Sequence, residues 1–377
     1  LIENPGLLFT LVAFVLVLGP LVFIHEMGHY LAGRWFGVKA EAFSVGFGRE
    51  IAGFTDKRGT RWQFGWLPLG GYVRFAGDMN PASQPNPEWL ALPAEERAQT
   101  FQAKPLWQRA IIVVAGPAIN FALAILILAG FAFGYGESRT PPVIGLVTEQ
   151  SAAANAGLRV GDRITAIGGR TVETFDDLVN FTRIRPSEQV RVDYVRADAS
   201  ASTDMRIGLV RDRDRFGNEF DLGRIGIGPA EAVRVPVEWW RAPIIGIERT
   251  GAIVGMMVDT IGQIITGRRS IKELGGPLRI AQVSGQQMSL GVVEYVGLIA
   301  LISINLGFIN LLPVPMLDGG HLLFYAIEAV RRRPVRPEVF EWAFRGGLVA
   351  LLGLMFFVTI NDLGGFGVWR SLAGLIG

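Results

Sequence analysis

The sequence predicts a polytopic α-helical membrane protein of about four transmembrane helices, with a membrane-associated β-hairpin region and a soluble α+β domain. Three observations carry this reading. Half of the 377 residues are hydrophobic and the mean hydropathy is +0.35, too apolar for an ordinary soluble protein. Several apolar runs approach or exceed the ~20 residues that cross a bilayer. Between two of them, residues 141–230 change to short β-rich runs and tight turns, a stretch of about 90 residues and so of ordinary domain size.

The first run, residues 7–24, contains no charged residue, and apolar character resumes after His29 as far as Gly33. It holds His25 and Glu26 at its end, so it reads as a span and not as a cleaved leader. Residues 41–75 alternate aromatic and small residues around a turn at 56–59, a pattern of hairpin strands. Residues 76–104 are rich in Pro and polar groups (Pro81, Pro85, Pro87, Pro93) and read as an exposed loop. Residues 110–133 form a second span with Gly116-Pro117 and a lone Asn120, an amide expected to bond a neighbouring helix. In the soluble stretch, strands are expected at 143–147, 163–167, 189–195 and 205–209, and a helix at 175–184. Residues 296–312 and 346–360 read as the third and fourth spans.

Composition narrows the chemistry. With no cysteine there are no disulfides, and any metal must be held by nitrogen and oxygen. A net charge of +2 gives no footprint for a nucleic-acid partner. The chain has three histidines, and two of them stand four apart in His25-Glu26-Met27-Gly28-His29. On a helix both imidazoles lie on one face and reach one metal ion, with Glu26 placed to take a proton from water. Ionisable groups at membrane depth are costly, which favours function over accident.

Arginine placement orients the chain. Arg34, Lys39, Arg49, Lys57, Arg58 and Arg61 follow the first span, and Arg331, Arg332, Arg333 and Arg336 precede the last. The positive-inside rule puts both clusters in the cytoplasm, so the chain starts outside and the soluble domain lies outside. Residues 236–267 are apolar but interrupted by Glu248, Arg249 and Asp259. A further span there would reverse the order, so they are expected to lie on the outer surface as an interfacial helix. Asp318 then emerges at the depth of the His/Glu motif. A catalytic zinc takes three protein ligands, and Asp318 and His321 both qualify as the third.

His25-Glu26-Met27-Gly28-His29 with Asn310-Leu311-Leu312-Pro313-Val314-Pro315-Met316-Leu317-Asp318-Gly319 resemble the paired signatures of the site-2 intramembrane zinc metalloproteases. Gly70-Gly71-Tyr72-Val73, residues 105–109, Gly116-Pro117 with Asn120-Phe121, and Gly275-Gly276-Pro277 resemble the bacterial regulator-of-sigma-E-protease branch. The resemblance implies Zn2+ held by His25, His29 and Asp318, Glu26 as general base, and Asn310, Gly71 and Tyr72 as substrate or oxyanion contacts. It implies a PDZ-like domain with Ile225, Gly226 and Ile227 at its peptide groove. Well-known members of that branch carry two such domains, and here there is room for one.

On this resemblance residues 1–36 form the first transmembrane helix, 37–109 the membrane-associated hairpin and cytoplasmic loop, and 110–135 the second transmembrane helix. Residues 141–230 form the periplasmic PDZ-like domain and 231–289 the interfacial helix and linker. Residues 290–331 carry the third transmembrane helix with the Leu-Asp-Gly motif, and 341–377 the fourth and the tail. The expected setting is the bacterial inner membrane, with the metal site toward the cytoplasm and the lipid bilayer as partner. The implied substrates are single-span membrane proteins of the anti-sigma-factor or signal-peptide type, cut in regulated intramembrane proteolysis. The alternative is a non-catalytic membrane PDZ scaffold with a structural metal, for which an intact Glu26 serves no purpose.

Overall fold

The computed structural model describes residues 5–78, 91–213, 219–267 and 275–365, so Pro81, Pro85 and Pro87 of the expected loop and the tail beyond 365 lie outside it. The chain divides into two compact units, residues 1–130 with 243–377, and residues 131–242.

Helix α1 (Leu7–Trp35) runs unbroken through Pro20. In lipid a backbone must satisfy its own polar groups, and a charge-free run does so as a helix. Ala13, Val17, Leu21, His25 and His29 recur every fourth residue and are all buried, while Leu8, Leu11, Val12 and Val15 are exposed. One stripe of α1 therefore faces protein, and the histidines continue it.

Strands β1 (Ala40–Thr55) and β2 (Arg61–Phe75) form a sheet around the Asp56 turn, where Asp56 Oδ1 accepts from the amides of Arg58 and Thr60. Each strand bends, so residues 42–45 pair with 71–74 on one side and 61–64 on the other, and 61–64 pair in turn with 52–55. Two strands thus give a sheet four ribbons wide. Gly46 makes the bend: its φ is +90°, and a Cβ there would stand 2.8 Å from the Leu67 carbonyl oxygen. Tyr30, Phe43, Val73, Phe75 and Phe101 bury the sheet's inner face against α1. A short helix, α2 (Ala94–Ala98), precedes α3 (Leu106–Tyr135), which is longer at both ends than the apolar run alone suggests.

The second unit is α+β. Its elements are β3 (Glu137–Arg139), β4 (Ile144–Val147), α4 (Ala152–Asn155), β5 (Arg163–Ile167), β6 (Arg170–Thr171), α5 (Phe175–Arg183), β7 (Gln189–Arg196), β8 (Ala199–Arg206), β9 (Gly208–Arg213), β10 (Glu219–Arg224), β11 (Ile227–Pro229) and β12 (Val233–Val235). Strands β6-β5-β7-β8 form one sheet in that order, β11 pairs with β4, and β12 pairs with β3. Helix α5 starts at a capping box in which Thr174 and Asp177 satisfy each other's backbone amides. Ile144, Ile164, Ile167, Leu178, Val192 and Ile207 fill the core. The strand expected over 205–209 divides instead at the buried Ile207, ending β8 and beginning the separate β9–β10 hairpin.

The chain returns to the first unit through α6 (Ala242–Ile265), α7 (Pro277–Leu290), α8 (Val292–Asn310), α9 (Asp318–Arg331) and α10 (Pro337–Gly365). Four of the helices described, α1, α3, α8 and α10, are long and apolar enough to cross a membrane, which makes this a polytopic membrane protein. Helix α10 extends beyond the expected 346–360 at both ends, and residues 342–345 belong to it. Helix α6, over the residues expected to form an interfacial helix, is not among those four, and one of its faces rests on the helices of the first unit. Ile253, Val254 and Met257, spaced to share one face, pack against a cluster of Ala124 of α3 with Ala300 and Ile304 of α8. Gly246 makes the approach close enough, since a Cβ there would lie 2.6 Å from the Ile125 carbonyl oxygen.

Candidate metal centre

Helices α1, α3 and α9 meet at one point. His25 Nε2 and His29 Nε2 are 3.2 Å apart, and Asp318 Oδ2 lies 3.2 Å from the first and 3.4 Å from the second. Two ring nitrogens and one carboxylate oxygen form, among the described residues, a cluster able to hold a metal ion. Tetrahedral zinc with bonds of about 2.0–2.1 Å sets its ligand atoms roughly 3.3 Å apart, and these separations match. Asp318 Oδ2 is buried without a hydrogen-bond partner, which a cation between the three groups would remedy. The donor set therefore fits zinc.

Glycines make the meeting of helices close enough. A Cβ on Gly28 would lie 2.4 Å from the Ala115 carbonyl oxygen, and one on Gly116 would lie 2.2 Å from His29 Nε2. The α1–α3 contact thus sits directly behind the histidines. The His29 Nδ1 faces the carbonyl oxygen of Ile112 at 2.9 Å. A carbonyl only accepts, so Nδ1 carries the proton and Nε2 keeps its lone pair for a metal.

Asp318 arrives by a different device. After α8 the chain turns through Pro313-Val314-Pro315, with Met316 at φ +83°, and Asp318 opens α9. At a helix N-terminus a carboxylate is favoured by the macrodipole. Gly319 and Gly320 let the new helix fold over the turn, because a Cβ at either would stand 2.2 Å from the Leu312 and 2.4 Å from the Val314 carbonyl oxygen. His321 is not in that cluster, and its ring lies 4.8 Å from that of Phe344 and 5.7 Å from that of Phe340. Of the two candidates for third ligand, Asp318 is the one whose oxygen joins the histidines.

Glu26 is buried and opens onto a cavity of about 350 Å³. The cavity is lined by His25, His29, Asp318, Gly71, Tyr72 and Asn310, so these candidates share one space, with His321 also on its wall. Gly71 brings the outer ribbon of the sheet against the motif: a Cβ there would lie 2.9 Å from both Glu26 Cγ and Val22 Cγ1. Ile225, Gly226 and Ile227 lie elsewhere, in a groove of the second unit between α5 and the strand end leading into β11. Sequence reasoning missed the Ile112 carbonyl and the partner of Asn120, whose side-chain nitrogen is 3.1 Å from His25 Nδ1. A backbone carbonyl has no sequence signal, whereas the lone amide at Asn120 did.

A two-histidine, one-carboxylate cluster beside a glutamate, in a protein with four membrane-length helices, defines a membrane metallopeptidase architecture. Residues 13–354 match peptidase family M50, and the chain belongs to that family, the site-2 proteases. A protein of Agrobacterium fabrum with the provisional name zinc metalloprotease is 46% identical over 368 residues, covering 94% of this chain and 95% of that one. A similarly named protein of Rhizobium meliloti is 44% identical, covering 96% and 98%. Metalloprotease MmpA of Caulobacter vibrioides is 36% identical over 399 residues, covering 98% and 99%. Among solved structures, the PDZ domain of the SdrC-like protein of Listeria monocytogenes is similar to 25% of this chain and 90% of its own, at 20% identity and a TM-score of 0.20. The chain is thus a membrane metalloprotease.

Proposed function

We propose that this protein is an intramembrane zinc endopeptidase that cleaves the transmembrane segments of single-span membrane proteins. The observation that carries the reading is the convergence of His25, His29 and Asp318 on one point, in the same cavity as Glu26 and among membrane-length helices. In this reading those three residues hold Zn2+, which supplies the Lewis acidity that acidifies water and polarises a carbonyl.

The chain's own residues supply the rest. Glu26 takes a proton from the attacking water as its oxygen bonds the scissile carbonyl carbon. The same proton passes to the amide nitrogen as the C–N bond breaks, so Glu26 ends as it began. Burial of Glu26 keeps bulk water from competing for that proton. A transmembrane helix hides its peptide bonds in its own hydrogen bonds, so the substrate must be held extended. The outer ribbon of β2 at Gly71, Tyr72 and Val73 borders the cavity and offers a strand edge for it. Asn310, at the end of α8, is placed to bond the substrate backbone or the developing oxyanion.

The second unit serves as a PDZ-like domain, its groove at Ile225, Gly226 and Ile227 supported by the helix-and-strand walls there. Arginine placement supports a cytoplasm-facing metal site and a periplasmic second unit in a bacterial inner membrane. Anti-sigma-factor-type proteins and signal-peptide remnants fit as substrates, since both present one apolar helix. The test is Glu26→Gln in the purified chain with a single-span substrate. Cleavage is expected to vanish while zinc content stays; cleavage at the normal rate refutes the assignment.

A further inference from the structure

Asn120 is the one polar side chain in residues 110–133, and it is completely buried. Its backbone carbonyl oxygen accepts from Ser303 Oγ at 2.8 Å, which pins the residue to α8. The end of its side chain is held less completely. Nδ2 lies 3.1 Å from His25 Nδ1, and Oδ1 is buried with no partner.

That contact couples the His25 tautomer to the way the Asn120 amide is turned. When the amide NH2 donates, Nδ1 must hold a lone pair and the ring proton sits on Nε2, which lies 3.2 Å from the lone pair of His29 Nε2. In that tautomer Nε2 has no lone pair for a metal. A ligating Nε2 needs the proton on Nδ1 and an acceptor facing it. Half a turn of the Asn120 amide supplies one, exchanging Nδ2 for Oδ1 at the same place, and this terminal torsion is soft. His29 has no such freedom, because the Ile112 carbonyl only accepts. The two imidazoles therefore have unlike partners on the same helix, one fixed and one reversible. Ile112, Gly116 and Asn120 follow each other at four-residue spacing, so a single face of α3 backs the whole histidine pair.

We propose that Asn120 is a positioning residue for His25: with Oδ1 turned to the ring its amide accepts from Nδ1–H, which leaves the His25 Nε2 lone pair for a metal. The inference rests on His25, His29 and Asp318 being the zinc ligands.

Asparagine, aspartate and leucine are close in size, which separates the acceptor from mere packing. Zinc affinity of the full chain in detergent is measured by competition with a chromophoric chelator. Loss of a metal ligand's hydrogen-bond partner costs about 10–100-fold in affinity. Asn120→Leu is expected to weaken zinc binding by that factor, and Asn120→Ala, which adds no bulk, by the same. Asn120→Asp, which keeps the acceptor, is expected to stay within about threefold of the unaltered chain. Unchanged affinity in the Leu or Ala variant overturns the proposal, as does an Asp variant as weak as they are. His29→Ala is the control: if it keeps zinc, the ligand assignment itself fails, whatever Asn120 does.

Discussion

Gly116 lies directly against the ring of His29, so close that a Cβ would stand 2.2 Å from Nε2 and 2.5 Å from Cε1. No real Cβ tolerates that distance, and the nearby atoms belong to a ring held in place by the Ile112 carbonyl. Gly116→Ala must displace His29 or push α3 from α1. Overpacking of this kind costs about 1–3 kcal/mol, and here the strain falls on a ligand. We expect the variant to insert in the membrane yet bind little zinc. Metal analysis of the purified protein checks this, and a full complement of zinc counts against the proposed ligand role of His29.

Gly71 gives a different outcome, because the atoms nearest its missing Cβ are Glu26 Cγ, Val22 Cγ1 and the Ser44 carbonyl oxygen, and not those of a ligand. Gly71→Ala is expected to retain zinc and lose cleavage by at least about tenfold, as small displacements of catalytic groups do. Comparing zinc content with turnover on one sample separates the two. Loss of zinc in step with activity would show that the change spreads beyond Glu26.

The spans and the chemistry-bearing residues were legible in the sequence for a physical reason. A charge-free run of membrane length has few alternatives to a helix, and histidines four apart share its face. Other features were hidden because they are non-local or have no side chain. The pairing of residues 42–45 with two separate stretches of β2 depends on bends at glycines, and alternation alone suggests a simple hairpin. The Ile112 carbonyl that orients His29 belongs to every residue type equally. Helix α6 shows its charges in the sequence, and Glu248 and Asp259 are exposed, but which elements its Ile253, Val254 and Met257 face is a non-local matter. Asn120 was visible as an oddity, but its partner lies 95 residues away.

Asp318 and His321 are one turn apart on α9 and differ in what they face. Asp318 Oδ2 meets both histidines, whereas His321 packs beside Phe340 and Phe344. Asp318→Asn is expected to weaken zinc binding by at least about 100-fold, the upper end of a neighbouring-partner loss, since a ligand itself is changed. His321→Asn is expected to stay within about threefold of the unaltered chain and to act on packing instead. Isothermal titration of both variants decides it, and equal losses would make His321 a ligand.

The second unit carries its own pH dependence, through Asp162. Its carboxylate takes both oxygens of a forked pair with Arg196, Nε to Oδ1 and Nη2 to Oδ2 at 2.7 Å each, and accepts from the Arg159 amide at 2.8 Å. Burial alone would raise the carboxyl, but the Arg196 guanidinium and the Arg159 amide outweigh it and hold Asp162 below the ordinary aspartate value. A carboxyl whose folded value lies below its unfolded value, about 3.9, stabilises the fold at higher pH. That contribution is complete above the unfolded value and disappears as pH falls through the folded one. Asp162→Asn should therefore destabilise the second unit at pH 7 by about 1.5–3 kcal/mol, the worth of charged hydrogen bonds. Once pH has fallen below the folded value of Asp162, the variant and the unaltered chain should converge. Hydrogen exchange at the amides of β5 and β7, followed in the full chain from pH 7 downward, reads this directly. A gap that persists or widens in acid would mean that the substitution damages packing and that the ion pair contributes nothing.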